Sequence, residues 1–145
     1  MVIGESYLQC SHRSELCGLV GAVKHIRNIC KKYDIQQGLV EIVCDGLEAY
    51  KIASRYELKH TTNMGHFDIS TCLHELLKQN TLTWSFRHVK GHQDDMTNIA
   101  NIDIWGQLNM VADVYAKMAL WRHINNVGDV FQMKQVYNAI PSIQI

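Results

Sequence analysis

The sequence predicts a small α/β domain, and three observations carry that prediction. Apolar residues recur at helical spacing in three separate stretches, and two short segments have the residue pattern of strands. Helical segments separate those strands, an order that favours parallel pairing with helices layered on the sheet. At 145 residues the chain has the length of one domain.

The first helix is expected at about Ser11 to Tyr33, where Leu16, Leu19, Val20, Val23, Ile26, Cys30 and Tyr33 mark one face. Lys24, Arg27, Asn28 and Lys31 give it a basic outer stripe. Gly38 introduces LVEIVC, a run rich in β-branched residues that ends at Asp45-Gly46 and reads as a strand. A short helix over Leu47 to Arg55 and a loop over Tyr56 to His66 follow. Asp68 or Ser70 is placed to cap a helix whose face is Ile69, Cys72, Leu73, Leu76 and Leu77. LTWSFRHV then alternates Leu82, Trp84, Phe86 and His88 against polar neighbours, the period of a half-buried strand that sets His88 in the inward row. A polar loop from His92 to Asp103 leads to a long helix, Trp105 to Arg122, with Leu108, Val111, Ala112, Tyr115, Met118 and Ala119 on one face. The tail from Asn125 to Ile145 has weak periodicity and reads as irregular. Two strands are few for a stable sheet.

Composition narrows the function classes. Lys and Arg number 14 against 14 Asp and Glu, which excludes a binder that works through a large excess of positive charge. Eight His residues make the charge pH-dependent just below neutrality. MVIGESYLQC has neither the basic nor the apolar part of a signal peptide, and no stretch reaches the roughly 20 apolar residues of a membrane span. Five cysteines without a CxxC spacing suit neither a disulfide framework nor a zinc ribbon. The expectation is an intracellular protein, cytoplasmic or nuclear, that is not secreted and does not engage a membrane.

The acids stand at telling places. Glu15 falls in the first turn of the first helix at the border of its apolar stripe, where the exposed backbone N–H groups favour a negative charge, and Asp45 ends a strand, where α/β sheets gather functional groups. Asp113 shares a helical face with Asn109, and His92 follows Gly91 at the exit of the second strand, where glycine permits an unusual backbone.

SHRSEL on a helix, VCDG after a strand, HVKGHQDD after the next and LNMVAD on a helix occur in one order. In that order the chain resembles a ribonuclease H domain of the type attached to retroelement reverse transcriptases, over about Ser11 to Lys117. The resemblance implies a ribonuclease H-like mixed sheet flanked by helices. It makes Glu15, Asp45 and Asp113 the metal-binding carboxylates and His92 the mobile loop histidine, the four forming the catalytic set. Ser11, His12, Arg13 and Asn109 then match positions near the substrate, an RNA–DNA hybrid whose RNA strand is cleaved. The implied cofactor is Mg²⁺ or Mn²⁺ at a two-ion site, because ions about 3.5–4 Å apart need clustered hard oxygen ligands while waters and phosphate oxygens complete their shells. Such a site reads the hybrid through sugar and phosphate contacts.

In the family a first strand brings an Asp that bridges both ions, and two more strands precede the Glu-bearing helix. MVIGESYLQC has no counterpart of that strand, and Glu5 is the lone acid before Glu15. The expectation is a domain lacking its first strands, with impaired metal binding and activity in doubt. Either a reverse transcriptase segment, another chain or the tail Val127 to Ile145 completes the sheet, or the chain is a fragment of marginal stability. Two alternatives belong to other classes. One is an inactive nucleic-acid-binding or interaction module using Arg13, Lys24, Arg27 and Lys31 on phosphates. The other is an unrelated Cys- or metal-based hydrolase built on His88, His92, Asp94 and Asp95, which is disfavoured because His-x-x-x-His here runs from strand into loop rather than along one helix face.

Overall fold

A computed structural model describes residues 11–58, 66–92 and 98–125. Residues 126–145 of the tail expected to be irregular, the acids Asp94 and Asp95, Glu5 and the middle of the loop after the second helix lie outside the described residues. The chain divides into two compact units, Met1–Val89 and Lys90–Ile145.

In the first unit, apolar periodicity gives α1, Ser11–Lys32, which buries Leu16, Leu19 and Val23. The helix stops where Asp34 turns left-handed at φ 51°. Ile35 N–H then donates to the Cys30 carbonyl at 2.8 Å, a closure that satisfies one of the last free carbonyls. β1, Leu39–Cys44, pairs in parallel with β2, Thr83–His88, in the register Leu39↔Thr83 to Cys44↔His88. Thr83 N–H to the Gly38 carbonyl (2.8 Å) and Val89 N–H to the Cys44 carbonyl (3.0 Å) extend the ladder at both ends. Between the strands lie α2, Leu47–Ser54, and α3, Phe67–Lys78.

The helices cover one face of this sheet. Ile42, Leu82 and Trp84 meet Leu16, Leu19 and Val23 of α1, Ala49 and Ala53 of α2, and Ile69, Leu73, Leu76 and Leu77 of α3 in one core. Fully burying each leucine is worth about 1.5–3 kcal/mol, which is what fixes the helices to the strands. The other face carries an ion pair from Arg87 to Glu41 at 2.9 Å, together with the exposed Leu39 and Thr83. Asn80 sets the turn from α3 into β2. Its Oδ1 accepts from Leu82 N–H and Trp84 Nε1–H, each at 2.9 Å, while its Nδ2 donates to the Leu76 carbonyl at 3.0 Å.

In the second unit a 3₁₀ turn, Ile99–Asn101, precedes α4, Ile104–Asn125. Asp103 caps α4, its Oδ1 accepting from Gly106 N–H at 2.8 Å. No helix among the described residues is long and apolar enough to cross a membrane.

Three sequence expectations are corrected. Neither Asp68 nor Ser70 caps α3: the cap position is His66, left-handed at φ 53° and without a side-chain cap, while Ser70 is buried. His88 belongs to the inward row by period but is exposed, because β2 ends there, beyond the rim of the core. The apolar face of α4 is also exposed at Leu108, Val111, Tyr115 and Met118.

Candidate cation site at the end of the parallel sheet

β1 and β2 run in parallel, so their carboxyl ends lie side by side, and the exposed backbone there is open to ligands. Asp45 is the first residue after β1, and its side chain is exposed. His88, paired with Cys44 in the register, donates from Nε2 to the Asp45 carbonyl at 3.1 Å. The imidazole also lies against the Tyr50 ring of α2, with centroids 5.9 Å apart. Asp45 therefore leaves the sheet on a backbone held from the neighbouring strand.

Glu15 comes to the same place from α1. It is the fifth residue of the helix and lies past the first turn, so the expected partnership with the free N–H groups of the helix start is replaced by a tertiary contact. Its carboxylate rests on Gly46, and Oε2 is buried without a hydrogen-bond partner. Glu15 as a whole is half-buried, and a buried polar atom left without a partner is costly, a need that a cation would meet. The Cys44 thiol between these acids is pushed up to about 11, first by burial and then by the negative charges of Asp45 and Glu15. Both carboxylates thus act on one point at the end of β1, and a thiol held in its neutral form there is no nucleophile.

The remaining expected residues divide by unit. Ser11 and His12 are exposed at the start of α1. His12 lies near Glu48 in the first turn of α2, whose carboxyl is lowered chiefly by a hydrogen bond from Lys51, with a smaller contribution from His12. Arg13, expected at the substrate, instead points inward. It is 1% exposed, and its guanidinium donates to both oxygens of Asp68, at 3.0 and 2.6 Å. Position 13 lies three residues before Leu16, on the buried face of α1, and this assigns it to structure. It also removes Arg13 from the phosphate-binding set of the alternative reading, in which Lys31 is exposed and Lys24 and Arg27 are half-buried.

In the second unit, Asp113 forms an ion pair with Lys117 at 2.6 Å, one turn along α4. Asn109 is half-buried one turn before it. His92 is exposed and itself left-handed at φ 53°. Sequence reasoning missed Gly46 and His88 as parts of the site. Gly46 carries no sequence signal of its contact with Glu15, since glycine is an ordinary N-cap residue.

Mg²⁺ takes hard oxygen ligands and commonly keeps several waters, so one or two carboxylates suffice to hold one ion. Glu15 and Asp45 have the donor chemistry for a single Mg²⁺ or Mn²⁺, and the buried unpartnered Oε2 is the observation that fits it. Among the described residues no group of three or more His, Cys, Asp or Glu side chains is placed to hold an ion, so the pair does not by itself meet the demand of a two-ion centre. The chain matches no family model, no curated protein and no solved structure.

Proposed function

We propose that the chain is a ribonuclease H-like nucleic-acid-binding module in which Glu15 and Asp45 hold a divalent cation against the phosphate backbone of an RNA–DNA hybrid. The observation that carries this reading is the buried Glu15 Oε2, without a hydrogen-bond partner and brought by α1 to the strand end that bears Asp45. On the family resemblance, two ions and cleavage of the RNA strand need carboxylates beyond this pair, the part it gives to Asp113, with His92 assisting proton transfer or product release. An inactive binding module is the second reading, favoured because the described residues bring two carboxylates together where a two-ion centre needs more.

Binding of a fluorescent RNA–DNA hybrid to the full chain, measured with and without Mn²⁺, tests the proposal. Mn²⁺ is expected to tighten binding, and Asp45→Asn and Glu15→Gln are each expected to abolish that increment while leaving the metal-free, salt-dependent part. Metal-independent binding that neither variant changes would overturn it.

A further inference from the structure

Gly46 occupies a place where the backbone alone does not ask for glycine. It is the N-cap of α2, at φ −76° and ψ 102°, a conformation open to any residue. Ser, Asp or Asn there would supply a side-chain cap that α2 lacks. What a side chain there would displace is the Glu15 carboxylate, the far end of a flexible side chain. A Cβ built on Gly46 would overlap Glu15 Oε2, lie 2.5 Å from Cδ and 3.2 Å from Oε1. Nothing but a hydrogen at this position lets the carboxylate cross from α1 to the end of β1. The His88 bond to the Asp45 carbonyl fixes the backbone on which Gly46 follows, so the glycine cannot simply swing aside.

We propose that Gly46 is a positioning residue for the cation held by Glu15 and Asp45, its missing side chain being the space through which Glu15 reaches the site. The proposal rests on the cation reading above and adds the residue that makes it geometrically possible. Gly46 touches no ion; it acts through Glu15. A methyl group there would push the carboxylate outward into water, where Oε2 gains solvent partners and loses its place beside Asp45.

Mn²⁺ titration of the full-length chain by electron paramagnetic resonance, with thermal melting of the same samples, tests the role. Gly46→Ala is expected to weaken Mn²⁺ binding by about 10- to 100-fold, the usual effect of disturbing a group that orients a metal ligand. Melting gives the readout that isolates the clash. Glu15→Ala/Gly46→Ala is expected to melt with Glu15→Ala, because the methyl is harmless once the carboxylate is gone. A double variant that melts well below Glu15→Ala would mean that the glycine serves some other contact, and would overturn the proposal even if Gly46→Ala alone does not fold. Wild-type protein that binds Mn²⁺, with Gly46→Ala binding equally well, would overturn the role of Gly46 and leave the cation reading standing. Wild-type protein that binds no Mn²⁺ would overturn both.

Discussion

Arg13 and Asp68 tie the start of α1 to the start of α3 through a two-pronged ion pair in which the guanidinium is 1% exposed and the carboxylate 61%. The arginine lies in the core and the aspartate on its rim, so the pair is neither a surface bridge of little worth nor a fully desolvated one. Asp68→Ala is expected to cost about 2 kcal/mol, below the 3–5 kcal/mol of a wholly buried pair because water already screens the carboxylate. The Arg13 hydrogen bond is the main cause holding the Asp68 carboxyl below its ordinary value. The sign follows. A carboxyl depressed by folding adds stability at pH above its unfolded value, about 3.9, and loses it as pH falls through the folded one. Urea midpoints measured from pH 7 down to pH 3 should therefore fall less steeply for Asp68→Asn than for the wild type. Parallel curves would show that the pair does not contribute.

Among the elements, α3 is the most deeply buried, with Leu73, Leu76 and Leu77 all in the core that it shares with α1 and α2. Leu73→Ala should cost about 2–5 kcal/mol in chemical denaturation, since a fully buried leucine leaves a cavity that the packed helices fill only in part. A loss under 1 kcal/mol would contradict the packing described. α4 differs. Leu108, Val111, Tyr115 and Met118 are 43–66% exposed, an unusual concentration of apolar surface on one helix. Val111→Lys/Tyr115→Lys should lower concentration-dependent light scattering and shift stability by no more than about 0.5 kcal/mol, as substitutions at exposed sites do. A collapse of stability would mean that this face is covered. The elements themselves were legible because they follow local rules: three-and-four spacing placed α1, and a β-branched run closed by Asp45-Gly46 placed β1 residue for residue. Periodicity also grouped Leu108 with Tyr115 on α4, but spacing along a helix does not say what lies against it. His88 shows the same limit in a strand, where alternation gives the direction of a side chain and not where the core stops.

At the scale of the whole molecule, the site was legible as a set of residue types in order and illegible as a geometry. Glu15 and Gly46 are 31 positions apart in the sequence, and their contact exists only once α1 has packed beside the end of β1. The inward turn of Arg13 could have been read from its spacing to Leu16, but the family resemblance placed it near the substrate. The pair Glu15 and Asp45 supplies fewer ligands than two ions require, so the purified chain is expected to show negligible cleavage of an RNA–DNA hybrid in Mg²⁺ or Mn²⁺. Robust cleavage abolished by Asp45→Asn would show that further groups complete the centre within this chain. The most direct test of the central claim is paramagnetic broadening of amide signals by substoichiometric Mn²⁺. Broadening should centre on Glu15, Cys44, Asp45 and Gly46 and vanish in Asp45→Asn; broadening centred elsewhere, or unchanged in that variant, would contradict the assignment of the cation to this pair.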